Sequence, residues 1–302
     1  MRRCRPGFAA APGSHPRPSH TLVIPLDVTL AVLAAGLMHA TWNALLKSSD
    51  GGDPLLDTAT IVAGSTLCAL VALPFVPLPA AAAWPFAAVS VCIHFGYYLT
   101  LAEAYRSGDL SFAYPLMRGT APLIVTLLGA LFLRELPSWQ VMLGILLIST
   151  GIVSIALAAR HHHPRAAVLW ALANAGIIAV YTLIDGTGAR ASGHAVSYVL
   201  WMTFLEGVLF LAWLGSRRRM PAVRYVAARW QRGLTGGFFS VAAYGIVLWA
   251  MTRAPVAAVA ALRETSVVFA AIIGALVLKE GLGVARIAGA LLVVAGVAAL
   301  KI

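Results

Sequence analysis

Arg118 sits in the stretch AYPLMRGTAPLIV (113–125) and Arg263 in VAALRETSVVFA (259–270), each inside a long apolar run. A charge at the centre of a bilayer costs roughly 2.5–3.5 kcal/mol on insertion scales, so such side chains are rare and face the protein interior. Two guanidiniums facing one cavity could hold an anionic group through forked hydrogen bonds. They could equally lock helices together in a buried ion pair with Glu103, Glu206 or Glu264. Polar and aromatic residues recur around them at helical spacing. Tyr114 lies one turn before Arg118. His39, Trp42 and Asn43 share a face at i, i+3 and i+4, and Asn174, Tyr181 and Asp185 share another at i, i+7 and i+11. His94 with Tyr97 and Tyr98, Tyr198 with Trp201 and Glu206, and Tyr244 extend the pattern.

From this set, Arg118, Arg263, Tyr114, Trp42, Asn43, Tyr181 and Asp185 are expected to line a binding cavity. The competing reading of the same groups is ordinary interhelical hydrogen bonding. Glu206, an acid with no base beside it in sequence, is the candidate for taking up and releasing a coupling proton. Pro115 and Pro122 deny hydrogen bonds to the carbonyls four residues earlier, which leaves polar backbone at the depth of Arg118.

Positioning these residues falls to the apolar runs themselves. Of 302 residues 60% are hydrophobic and 11% charged, against roughly 45–50% and about 25% in soluble domains. A helix crossing the hydrocarbon core takes about 20 mostly apolar residues. Ten such runs can be marked, at approximately 27–47, 55–76, 84–105, 110–133, 137–158, 166–185, 195–215, 233–252, 255–278 and 283–301. In lipid the backbone must satisfy its own hydrogen bonds, which leaves helices or closed barrels, and no run alternates with a strand's period. The expected class is an all-α integral membrane protein with ten transmembrane helices and the lipid bilayer as its surroundings.

The net charge of +11 would suit a nucleic-acid binder if it were clustered on a polar fold. Instead the arginines fall in the first residues and in short connections, the usual places in membrane proteins. Cys4, Cys68 and Cys92 imply neither a disulfide framework nor a zinc site. His161–His163 are adjacent, so they cannot all face one ion from a helix. No cofactor is expected. Residues 1–26, rich in Arg and Pro, read as a disordered tail or as sequence upstream of the true start.

The chain repeats itself. At a constant offset of 145, Arg118/Arg263, Thr120/Thr265, Gly129/Gly274, Glu135/Glu280, Gly144/Gly289 and Gly151/Gly296 are identical pairs, and GALFLRE answers GALVLKE. More loosely, ATWNALLK (40–47) matches AVYTLIDG (179–186). Two five-helix units follow, 27–158 and 166–301. An odd number of spans per unit makes them inverted repeats, the plan of secondary transporters with a midplane site at the repeat interface. The paired glycines, seven apart, suit close backbone packing. Glu135 and Glu280, closing their helices, suit capping and loop ordering.

This duplicated, ordered set resembles the EamA domains of the drug/metabolite transporter superfamily, over nearly the whole of 27–301. The resemblance implies a ten-helix secondary transporter of a small metabolite in the cell (inner) membrane, with both termini in the cytoplasm. The basic residues point the other way, because the side opposite the N-terminus carries more of them, chiefly in 216–232.

With Arg118 and Arg263 in the cavity, an anionic or zwitterionic small molecule is the expected substrate. No ATP-binding loop is present, so a gradient, with a proton as the coupling ion, or exchange would drive transport. Two rivals remain: a membrane-embedded enzyme acting on a lipid-linked substrate, and a cationic drug exporter whose arginines are structural. The enzyme would gather its catalytic groups at one membrane face, whereas these polar residues are scattered at depth. Substrate identity and oligomeric state are not legible.

Overall fold

The computed structural model describes residues 24–47, 53–108, 110–158, 164–276 and 283–300. All regular structure among them is helical: α1 (Leu26–Lys47), α2 (Pro54–Ala72), α3 (Trp84–Ser107), α4 (Leu110–Leu128), α5 (Trp139–Leu157), α6 (Arg165–Ala191), α7 (Ala195–Ala228), α8 (Trp230–Met251), α9 (Val256–Arg263), α10 (Ser266–Leu276) and α11 (Val284–Ala299). Starts are marked by side chains that accept orphan amide protons. Asp53 accepts from the Leu55 amide at 2.9 Å with Pro54 opening α2, and His194 Nδ1 accepts from the Ser197 amide at 3.2 Å.

Nine segments among the described residues are long and apolar enough to cross a membrane, α9 and α10 counting as one, and α11 is a shorter apolar helix of 16 residues. Several boundaries differ from expectation, α6 for instance running on to Ala191 past the expected 185. Ile24, assigned to the tail, is buried in the core at 2% exposure; residues 1–23 lie outside the described part. The seventh helix runs past 215 to Ala228, bending at Arg219 (φ 46°, ψ −136°). The ninth run is broken: Glu264, Thr265, Val267 and Val268 each donate to the carbonyl three residues back, at 2.9–3.2 Å. These tight turns separate α9 from α10 at the polar quartet Arg263–Ser266. Its repeat counterpart, α4, stays helical through Pro115 and Pro122.

Contacts between helices respect the repeat. α3 packs on α6 as α8 packs on α1; α4 packs on α6 and α5 as α10 packs on α1 and α11. Equivalent helices also pack on each other, α5 on α11 and α2 on α7. On the first of these seams Gly144 faces Gly296 and Gly151 faces Gly289. A Cβ at Gly151 would stand 2.6 Å from the Gly289 carbonyl oxygen, and one at Gly144 2.8 Å from that of Gly296. The opposed numbering makes α5 and α11 antiparallel. Likewise Arg218 reaches Asp53 while Gly207 abuts Thr66, so α2 and the part of α7 before its bend are antiparallel too.

Following the helices from α1 fixes two ends of the bundle. The near end holds the start of α1, the α4–α5 and α6–α7 turns and the α8–α9 turn. The far end holds the α3–α4 turn and the α7–α8 connection.

Candidate functional site

A cavity opens among α1, α2, α3, α4, α6, α7, α8 and α9. Its walls reach from Trp42, Thr58 and Leu101, close to the far end, inward to Ala35, Tyr181 and Val247. Toward the near end the space is closed. Val28, Ala83, Met251 and Val256 pack there in one apolar cluster. Glu135 caps α9 by accepting from the Val256 amide at 3.0 Å. It also pairs with Arg190, whose Nε donates to the Met251 carbonyl at 2.7 Å and whose Nη2 donates to that of Ala254 at 3.1 Å. So Glu135 ties three helix ends together, a role more specific than the capping read from sequence; Glu280 lies outside the described residues, as do His161–His163.

Arg118 and Arg263 both line the cavity, each 4% exposed. They share one carboxylate. Glu264, fully buried at the break between α9 and α10, lies with Oε2 2.6 Å from Arg118 Nε and accepts from Arg263 Nε through Oε1 at 3.4 Å. The Arg118 contact is too far off line for a hydrogen bond, and Arg118 Nη2 has no partner among the described residues. Two guanidiniums against one carboxylate leave an excess of one positive charge, with unused donors beside a cavity.

Aromatic side chains line much of the rest of the cavity. Tyr181 lies 4.3 Å from His94 and 5.7 Å from Tyr97, centroid to centroid, and Tyr244 is 6.2 Å from His94. Tyr98 donates to Glu206 Oε1 at 3.1 Å, while His94 Nδ1 stands 3.7 Å from Oε2. Glu206 therefore has a base beside it, contributed by α3 rather than by its own helix. Trp42 Nε1 donates to His39 Nδ1 at 3.2 Å, and both side chains line the cavity.

Three residues expected on the wall are placed elsewhere. Asp185 is fully buried behind it, accepting from the hydroxyls of Tyr198 (3.0 Å) and Tyr244. Its carboxylate holds Tyr244 in place instead of facing the cavity. Asn43 turns back on its own helix, donating to the His39 carbonyl at 2.8 Å. Tyr114 packs between the two largest apolar clusters. Thr58, Ser65, Thr203 and Ser240 do line it. Sequence reasoning passed over them because small hydroxyl residues are common in any membrane helix.

The family model for EamA-like transporters matches residues 28–157 and again 165–301. The chain belongs to the EamA-like transporter family. It is thus a multi-pass membrane protein of the drug/metabolite transporter superfamily, as the sequence resemblance implied. Curated protein sequences yield no match to this EamA-like chain. Solved structures share its fold: one, titled only "Crystal structure of protein", superposes with a TM-score of 0.68 over 90% of this chain and 96% of that one, at 19% identity. At that identity the likeness concerns the fold alone.

Proposed function

We propose that this EamA-like protein is a secondary transporter that moves an anionic or zwitterionic small metabolite by alternating access. Its ten transmembrane helices would form two inverted repeats, 27–158 and 166–301. The antiparallel crossings of α5 with α11 and of α2 with α7 support inversion, since those helices are repeat equivalents. The described conformation would be the state open toward the far end, with the Glu135–Arg190 tie and the apolar packing sealing the near end.

The observation that carries the substrate class is the shared carboxylate. Glu264 satisfies one guanidinium's worth of charge, so a substrate anion entering beside it would complete the balance with Arg118 and Arg263, while Trp42 and Tyr181 pack on its apolar part. A second reading, export of an organic cation with structural arginines, has its own support: Glu206 at an aromatic wall suits a cation.

One measurement separates the two. The melting temperature of purified protein is followed against carboxylates, phosphates, phosphonates, amino acids and cationic drugs, because a ligand that binds only the folded state raises it. Stabilisation by an anion or zwitterion, lost in Arg263→Gln while the variant's own melt stays cooperative, is the expected result. Stabilisation by cations alone, undiminished in Arg263→Gln, would remove the arginines from the site.

Glu206 would carry the coupling proton, exchanging it with His94 or with the cavity. In proteoliposomes, Glu206→Gln should abolish uptake driven by a pH gradient while substrate exchange continues. Loss of both together would assign Glu206 a structural part through Tyr98 and His94. The protein would reside in the inner membrane with the Arg-rich 216–232 connection in the cytoplasm, the orientation that the charge distribution favours.

A further inference from the structure

The α7–α8 connection carries a surface that the cavity does not use. Arg219 lies 24 residues beyond Ala195, the start of α7, about 36 Å at 1.5 Å per residue. The hydrocarbon core is roughly 30 Å thick, so Arg217, Arg218 and Arg219 emerge just past it, at headgroup depth. There the chain turns, and Arg219 adopts a positive φ of 46°, a conformation rarely taken by residues other than glycine. Beyond the turn, the helical stretch through Ala228 presents two faces. The inner face is fixed to the bundle: Ala222 is buried, and Tyr225 donates to Asp57 Oδ1 at 2.8 Å beneath the guanidinium of Arg229, 3.7 Å from its ring centroid. The outer face is apolar and bare, with Met220 and Val223 more than half exposed, as is Trp230 at the start of α8.

Around that apolar face stand Arg217, Arg219 and Arg224, all exposed, and residues 216–232 contain no acid. Among the described residues, Arg218 alone of the arginines at the turn reaches a carboxylate, Asp53 at 3.5 Å. Exposed apolar side chains ringed by arginines, on a helix lying at headgroup depth, match the boundary between acyl chains and anionic headgroups. We propose that residues 216–232 form a binding surface for anionic phospholipid. Arg217, Arg219 and Arg224 meet the phosphates, and Met220, Val223 and Trp230 enter the acyl boundary.

The test uses the full-length protein in neutral detergent, with its melting temperature and retained lipid (by native mass spectrometry) read after adding phosphatidylglycerol, phosphatidylcholine or glycerol phosphate. Phosphatidylglycerol should raise the melting temperature by several degrees more than phosphatidylcholine and stay bound, with the difference shrinking in high salt. The variant R217Q/R219G/R224Q, whose glycine suits the positive φ, should lose at least half of that difference. The variant R217K/R219K/R224K should keep it, because attraction to headgroup charge needs no guanidinium fork. Equal effects of the two lipids on the native protein would overturn the proposal, as would an undiminished difference in R217Q/R219G/R224Q. A shift reproduced by glycerol phosphate would reassign the surface to a soluble phosphate.

Discussion

Glu264→Ala is expected to destabilise the protein by about 3–5 kcal/mol, the cost typical of breaking a buried ion pair by removing one partner. The side chain is fully buried and is the carboxylate shared by Arg118 and Arg263. Its loss strands two guanidiniums in a low-dielectric interior, with no other carboxylate paired to either among the described residues. Truncating one arginine acts differently. Arg263→Ala leaves one guanidinium against one carboxylate, a balanced pair, and should cost clearly less. The ranking, more than either value, follows from the two-to-one charge ratio. It can be read from reversible unfolding of the two variants in mixed micelles. Equal losses, or a larger loss for Arg263→Ala, would mean that the excess positive charge described here is neutralised by another group.

The second large effect concerns backbone contact. A Cβ placed on Gly64 of α2 would stand 1.8 Å from the Gly233 carbonyl oxygen of α8, and one on Gly237 2.2 Å from the Ser65 amide nitrogen. Neither obstacle is a flexible side chain, so the helices themselves would have to part. Gly64→Ala should therefore cost the upper part of the about 1–3 kcal/mol typical of overpacking, or more, and Gly64→Leu should prevent recovery of a monodisperse protein. Gly245, also on α8, meets nothing within 4 Å. Gly245→Ala should leave stability unchanged or raise it by up to about 1 kcal/mol, the helix-propensity gain over glycine. A melt in which Gly64→Ala matches Gly245→Ala would contradict the close approach of α2 and α8.

Why the helices were legible and the site only partly so follows from what each depends on. A spanning helix is imposed by its solvent: about 20 apolar residues have one way to satisfy their backbone. Runs such as 84–105 and 137–158 accordingly appear close to where they were marked. The break at Glu264 depends instead on a local contest. Arg263, Glu264, Thr265 and Ser266 stand together in an apolar run, a signal present in the sequence, but the matching RGTA of α4 remains helical. The carboxylate at the break is also paired with Arg118 of α4, a contact between helices that no reading of one run alone reveals. The same holds at the cavity. Periodicity placed Asn43 and Asp185 on plausible faces without showing that one bonds its own helix and the other holds Tyr198 and Tyr244. Glu206 was recognisable as a buried acid, yet its base, His94, comes from α3, more than 100 residues away in sequence. The pairing of Arg118 with Arg263 was legible because duplication leaves its record in numbering.

The seam between α5 and α11 has a further consequence. Gly144 is the repeat counterpart of Gly289 and Gly151 that of Gly296, while across the seam Gly144 touches Gly296 and Gly151 touches Gly289. Exchanging the two halves maps the contact onto itself, as an isologous dimer interface maps onto itself. Glycine is also the smallest residue available, so an enlargement on one helix cannot be answered by a reduction on the other. Two halves free to drift apart over the rest of their surfaces are thereby bound to agree along this one line.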